Sequence, residues 1–329
     1  MNYRSIDDLN NVILKQLHLI PRDIDLIVGV PRSGMLPANL MALYLNLPYT
    51  DIHSFMNGVI YKSGARKQFF NESHYKNILV VDDSIASGSA IKECKKDLNH
   101  LESKFNIKYC AIYFTPENKN MADIAFEAIP TPRYFQWNIF NHTTLEKACF
   151  DIDGVLCVDP SKEQNDDGAL YKSFLLNAAP LYIPGSKIGT IVTSRLEKYR
   201  TETETWLKNN GIHYDKLVML DLPDMKARQK ANNHAGHKAK EYQLSNYNLF
   251  VESDLCQAIE INRKTKKPVF CTENFKMIYD SESMIYNLKS GKYLPFLHRY
   301  GLRLRDTIRK FKVQNQKQTI KEASTSTNL

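Results

Sequence analysis

Residues 78–90 read ILVVDDSIASGSA. Four aliphatic residues without polar alternation describe a strand buried on both faces, as in a parallel sheet covered by helices. The run stops on two adjacent carboxylates, Asp82 and Asp83, and passes through hydroxyls and small residues into the helical pattern SAIKECKKDLNHL. Neighbouring side chains on a strand point to opposite faces, so the two aspartates are expected beyond the sheet, where the strand has ended and the chain turns. That carboxyl end is where open α/β sheets hold ligands.

Working outward, the same rhythm recurs. DLIVGV, MLPANLMALYLN, NILVVDD, SAIKECKKDLNHL and KYCAIYF alternate short β-branched runs with helical patterns from residue 24 onward. The alternation restarts at KACFDIDGVL (147–156) and continues through KIGTIVTSR, TETETWLKNNG, KLVML, NLFVESD, LCQAIEINRKT and PVFCT. The expected fold is therefore α/β, with two doubly wound parallel-sheet domains in series, residues 1–143 and 144–280. The polar stretch FNHTTLEK (140–147), which lacks periodicity, marks the junction. A basic helical extension is expected over 281–312, and 313–329 has the polar composition of a disordered tail.

Composition sets limits. A chain of 329 residues with 43% hydrophobic and 24% charged residues is long enough for two cores. It shows no N-terminal signal pattern and no apolar run of about 18 residues, so neither secretion nor a membrane span is expected. Six cysteines without a CxxC pair read as buried free thiols of a reducing cytoplasm. Of the net charge of +8, residues 295–321 supply +7, from eight Lys/Arg against Asp306. The rest of the chain is near neutral, so no nucleic-acid-binding surface is expected on its body.

The loop after Asp83 offers three serine hydroxyls, a glycine and successive backbone N–H groups just before a helix, which is the make-up of an anion cradle. A phosphate in that loop and two vicinal hydroxyls on the aspartates describe a ribose 5-phosphate. The full stretch resembles the phosphoribosyl pyrophosphate (PRPP) signature of type I phosphoribosyltransferases. The resemblance implies that Asp82 and Asp83 hold the ribose hydroxyls while Ser84, Ala86, Ser87, Gly88 and Ser89 surround the 5-phosphate. It also implies that Arg32, Ser33 and Gly34 of VGVPRSG form a pyrophosphate loop, and that Lys62, Arg66 and Lys67 of YKSGARKQ close over the leaving group. PRPP is then the donor and Mg2+ the counterion of the pyrophosphate. Tyr134, Phe135 and Trp137 of PRYFQWNIFNH stand where nucleotide-forming members place an aromatic hood over a base, although core packing also accounts for them.

A second constellation lies in FDIDGVL (150–156). Asp151 and Asp153, two apart at a strand end, can point to one side, one to attack and the other to manage protons. The segment resembles motif I of the haloacid dehalogenase (HAD) phosphatases, with companions in the family's order. The resemblance implies a Rossmann-like domain in which Asp151 is the nucleophile, Asp153 the acid and base, and Thr193, ending the strand GTIVTSR, binds the phosphoryl group. Lys238 is taken as the motif III lysine, with Lys226, Lys230 and Lys240 as alternatives. A second Mg2+ would be held by Asp151, Asp153 through its carbonyl, and Asp254 or Glu252 of LFVESD. About 35 residues separate the first two motifs, too few for a large cap, which favours a bulky substrate with a terminal phosphate.

The segment LPFLHRYGLRLRDTIRKFK (294–312) has the pattern of a basic amphipathic helix, for which docking on its own domain is one reading, peripheral contact with the inner face of an anionic membrane a second and nucleic acid a third. A phosphoribosyltransferase joined to a phosphatase resembles the pairs associated with ribofuranose in bacterial polysaccharides. The expected acceptor is a hydroxyl of a lipid-linked glycan. The alternatives are a nucleobase transferase with a nucleotidase and a PRPP-sensing regulator. Self-association is not addressed by the sequence.

Overall fold

The computed structural model describes residues 1–61, 75–231 and 233–280. Lys62, Arg66, Lys67, the basic extension and the tail lie outside the described residues. The chain divides into two units, Met1–His142 and Thr143–Leu329.

The first unit opens with β1 (Asn2–Arg4) and α1 (Ile6–Gln16), whose N-cap Ser5 and Asp8 form a reciprocal capping box. There follow β2 (Leu26–Gly29), α2 (Met35–Leu45), β3 (Tyr49–Asp51), α3 (Ile52–Met56), β4 (Asn77–Ile85), α4 (Ser89–Leu98), β5 (Asn106–Phe114), β6 (Ile124–Ala128) and β7 (Arg133–Phe135). Five of these strands form a parallel sheet in the order β3-β2-β4-β5-β6, and β7 pairs with β1. Alternation along β4 fills two cores. Leu79 and Val81 pack with Leu9, Ile13 and Met41, while Ile78 and Val80 pack with Ile91, Cys94 and Leu98. The chain runs from β2 to β3 on one side and to β4 on the other, so the carboxyl ends of β2 and β4 flank a topological switch point.

Asp82 and Asp83 do not lie beyond the sheet: β4 continues to Ile85 because β5 stays paired with it as far as Phe114. It is β2 that ends, with Gly29 opposite Val81. The aspartates therefore sit within one strand, next to a neighbour that has given out, and their opposite orientations are kept.

The second unit contains β8 (Ala148–Phe150), α5 (Ala169–Asn177), β9 (Ile188–Leu196), α6 (Arg200–Asn209), β10 (Tyr214–Leu220), α7 (Met225–Ala231), α8 (His234–Leu244), β11 (Leu249–Glu252), α9 (Leu255–Thr265), β12 (Val269–Cys271) and β13 (Lys276–Ile278). Its sheet runs β10-β9-β8-β11-β12-β13, parallel except for β13. The switch point lies between β8 and β11, whose ends carry Asp151 and Glu252. Thr193, expected to end its strand, lies inside β9, which extends to Leu196 beside β10. No helix among the described residues is long and apolar enough to cross a membrane.

Candidate functional site

Each unit gathers carboxylates at its switch point. In the first, the turn after β2 lies tight against β4. A Cβ on Gly34 would come within 2.6 Å of the Val30 carbonyl oxygen, 2.8 Å of the Val81 carbonyl oxygen and 3.0 Å of the Asp82 Cα. Only glycine admits that approach, and it delivers Ser33, whose hydroxyl donates to Asp83 Oδ1 at 2.8 Å. The Trp137 indole N–H donates to Asp83 Oδ2 at 2.7 Å, and the Asp83 backbone N–H donates to Asp82 Oδ1 at 2.9 Å. Both aspartates are buried. Burial, followed by the adjacent charge of Asp83, pushes the Asp82 carboxyl up to about 7. Arg32 is exposed.

The next turn is held from behind. The Ala86 carbonyl accepts from Thr115 Oγ1 at 3.2 Å and from Asn118 Nδ2. Gly88, at φ +80°, sits at the N-terminus of α4, a left-handed conformation that glycine adopts without strain. Ala86, Ser87 and Ser89 are exposed, and Ser87 and Ser89 bond to each other through their hydroxyls. Exposed hydroxyls at the start of a ten-residue helix can receive an anion.

The aromatic segment is largely spent on packing. Phe135 stacks on Trp137 at 4.9 Å and on Tyr113 at 5.3 Å, while Tyr134 contacts His142 at 5.2 Å. Tyr134 and Phe135 are buried and Trp137 half-buried. Arg133 was not foreseen: its guanidinium carbon lies 5.5 Å from the Phe135 ring centroid, and its buried Nη1 has no hydrogen-bond partner among the described residues.

In the second unit the carboxylates meet buried cations. Lys238 Nζ donates to Asp151 Oδ2 at 2.6 Å, Glu252 Oε2 at 2.7 Å and Gln257 Oε1 at 3.0 Å, which uses all three ammonium protons. Burial disfavours this ammonium, but the charges of Asp151 and Glu252 outweigh the loss and hold it protonated. Burial likewise pushes the Asp151 carboxyl up, against the pull of Lys238. Glu252 also accepts from the backbone N–H of Ser253 at 2.9 Å and of Asp254 at 3.2 Å. Asp153 is gripped by Arg195, through Nη2 at 2.7 Å to Oδ1 and Nε at 3.2 Å to either oxygen. The Arg195 side chain has no exposed surface, and although burial disfavours its charge, Asp153 more than restores it. Thr193 is fully buried.

A cavity of about 850 Å3 is lined by Asp151, Asp153, Asp159, Lys238, Asp254 and Glu273, among others. Burial and the charges of Asp153, Glu252 and Asp254 raise the Asp159 carboxyl. This concentration of negative oxygen donors suits a hard divalent cation. No group of three or more His, Cys, Asp or Glu residues among the described residues is gathered as a ready metal-binding set. Glu252 is committed to Lys238 and two N–H groups, whereas Asp254, exposed at the N-terminus of α9, accepts from the Gln257 N–H through one oxygen.

The structure thus brings Ser33, Gly34, Asp82 and Asp83 together in one unit and Asp151, Asp153, Lys238, Glu252 and Asp254 in the other. Of the four lysines weighed, Lys238 is buried against Asp151, while Lys226, Lys230 and Lys240 are exposed. Sequence reasoning missed Arg195, Gln257 and the polar use of Trp137. Arg195 left a signal: a cation at the end of the apolar run IVTSR requires a buried partner. The bonds of Gln257 and Trp137 left none, because they span 19 and 54 residues of chain.

Residues 2–143 match the family model described as a phosphoribosyl transferase domain. Among curated proteins, the transcriptional regulator GfcR 2 of Methanosarcina acetivorans is 26% identical over 98 residues, 29% of this chain and 48% of the regulator. The transcriptional regulator GfcR of Methanocaldococcus jannaschii is 29% identical over 99 residues, 28% of this chain and 46% of the regulator. The chain spans about half the length of the curated relatives it matches. Among solved structures, the xanthine-guanine-hypoxanthine phosphoribosyltransferase of Helicobacter pylori is 20% identical, with a TM-score of 0.32 over 42% of this chain and 92% of its own.

Proposed function

We propose that the first unit transfers 5-phosphoribofuranose from PRPP to a hydroxyl of a lipid-linked glycan acceptor, and that the second unit, as a HAD-type phosphatase, removes the 5-phosphate. The observation that carries this reading is the presence in one chain of the Asp82–Asp83 pair with its hydroxyl-rich turn and of the Asp151–Lys238–Glu252 cluster. The chemistries are consecutive: the first leaves a phosphate on a sugar, and the second is equipped to take one off.

In the transfer, the acceptor oxygen bonds to C1 of the donor as the C1–pyrophosphate bond breaks, and the acceptor proton passes to solvent. Asp82 and Asp83 accept the ribose hydroxyls, Ser84 near the end of β4 and the turn at residues 86–89 hold the 5-phosphate, and Ser33 and Gly34 place backbone N–H groups by the leaving group. Attack opposite an α-pyrophosphate gives a β-linked ribofuranose. In the second step Asp151 Oδ attacks phosphorus, Asp153 delivers a proton to the departing 5-oxygen, and water then releases phosphate from the aspartyl ester. Lys238 holds Asp151 in place for attack, and Arg195 fixes Asp153. Mg2+, when bound, neutralises phosphate charge in both sites, and in the second unit Asp151, the Asp153 carbonyl and Asp254 would hold it. Peripheral association with a membrane carrying a lipid-linked acceptor belongs to the same proposal.

A nucleobase acceptor fits less well, because Tyr134 and Phe135 are buried and the Trp137 edge is bonded to Asp83. A second reading, that residues 2–143 bind PRPP as a signal, draws on the names of the matched relatives, which are transcriptional regulators. The deciding experiment supplies the protein with PRPP, Mg2+ and either lipid-linked glycans or nucleobases and follows product mass. Under the proposal, wild type yields a pentosylated glycan and Asp151→Asn accumulates the phosphopentosyl form. Nucleotide formation alone rejects the glycan reading, and PRPP binding without turnover supports the signal reading.

A further inference from the structure

Asp83 carries one resident donor on each oxygen, Ser33 Oγ at 2.8 Å and Trp137 Nε1 at 2.7 Å. Ser33 belongs to the turn after β2, and Trp137 to the segment after β7. One buried carboxylate therefore joins the turn expected at the pyrophosphate to the segment expected at the acceptor. The Trp137 ring is fixed a second way, nearly parallel to Phe135 with an interplanar angle of 12°. Stacking sets the plane of the indole, and a hydrogen bond to a carboxylate sets its direction within that plane. An indole N–H taken from water needs some acceptor, as Trp206 finds in the Ala178 carbonyl; at Trp137 that acceptor is a carboxylate of the donor site.

We propose that Trp137 is a positioning residue for the transfer step: its N–H holds the Asp83 carboxylate in the orientation that receives a ribose hydroxyl, and links donor occupancy to the acceptor-side segment. A carboxylate offers about four lone-pair positions. With Ser33 and Trp137 each using one, the ribose hydroxyl is accepted as a third donor without displacing either. Because the three donors share one charge, arrival of the hydroxyl changes the field on the indole edge. Donor binding is thereby felt at Trp137. The inference rests on the reading of Asp83 as a ribose ligand.

The test uses the full chain. Trp137→Phe retains a ring on Phe135 but removes the N–H. Its affinity for Mg2+-PRPP, measured by calorimetry, should fall about tenfold, as for a lost hydrogen bond to a charged group. Indole emission of wild type should change on saturation with Mg2+-PRPP. That change should be absent in Trp137→Phe, which keeps the only other tryptophan, the buried Trp206 bonded to the Ala178 carbonyl. Asp83→Asn should alter the emission of the ligand-free protein, a response that a packing role would not give. Should Trp137→Phe fail to fold, Ser33→Ala decides, since its emission should still respond to Mg2+-PRPP while that of Asp83→Asn does not. Wild-type binding without an emission change, or unaltered affinity in folded Trp137→Phe, overturns the inference alone. Absence of Mg2+-PRPP binding in wild type rejects the proposed function as well.

Discussion

Along β4 two carboxylates occupy consecutive residues, Asp83 met by a hydroxyl and an indole N–H and Asp82 by a backbone N–H, whereas after β8 two carboxylates stand two residues apart and are met by an ammonium and a guanidinium. Burial raises Asp82 well above the ordinary carboxylate range, and the neutral donors leave in place the Asp83 charge that adds to it; at Asp151 burial acts in the same direction but Lys238 pulls against it. Such a site is suited to neutral hydroxyl groups. Buried cations instead balance the charge of Asp151 and Asp153 and fix both geometries, which suits a site where a carboxylate attacks and a proton moves. The difference between recognition and reaction is thus written in the partners rather than in the acids.

The strongest way to break the comparison is to neutralise Asp151, the nucleophile of the proposed phosphatase. Asp151→Asn should cut phosphate release from a phosphopentosyl glycan or an aryl phosphate by at least about 10³-fold. Calorimetric affinity for Mg2+-PRPP should stay within about twofold, since sites that share no partners behave additively. Loss of both activities together would contradict separate roles for the two acidic clusters.

Next in size is the cation. Lys238→Met strands Asp151 and Glu252, whose side chains are 8% and 0% exposed. Removing one partner of a buried ion pair costs about 3–5 kcal/mol. Urea unfolding followed through Trp206 should report that loss, and Lys226→Met, at an exposed lysine, should not.

The first unit should respond to pH instead. Asp82 has a raised value of about 7 from burial and the charge of Asp83, so acidification from pH 8 to 6 protonates it and removes a hydroxyl acceptor. Affinity for PRPP should fall across that interval, by up to about tenfold per pH unit below the midpoint. The sign for stability is the reverse. Between the unfolded value near 3.8 and about 7 the native state holds a proton that the unfolded chain has lost, so stability declines as pH rises through this window. Asp83→Asn, by removing the neighbouring charge, should move the midpoint down; an unmoved midpoint would assign the shift to burial alone.

The smallest effect is steric. Gly34→Ala must push back the backbone at Val30 and Val81, at a cost of about 1–3 kcal/mol by chemical denaturation. It should also weaken PRPP binding, because Ser33 reaches Asp83 only through that close approach.

The legible part of the sequence was local. ILVVDD announced a two-sided strand because an unbroken aliphatic run has no solvent face, and FDIDGVL announced a second because the same pattern restarted after a polar junction. The end of β4 was misjudged by four residues, Val81 against Ile85, because whether a strand continues depends on the neighbour that supplies its hydrogen bonds, and β5 outlasts β2. Thr193 was misplaced for the same reason, β9 running on beside β10. The choice among four lysines turned on burial, which helical spacing in HKAKEY does not reveal.

By itself the sequence determined where carboxylates, small residues and buried strands fall along the chain, since periodicity and turn chemistry act over a few residues. The tertiary structure alone decided what each carboxylate meets: Trp137 on Asp83 across 54 positions, Arg195 on Asp153 across 42, and Lys238 on Asp151 across 87. A carboxylate has the same intrinsic chemistry in both sites. Its charge, orientation and use are set by donors that only folding brings within 3 Å, in a medium where water no longer competes for them.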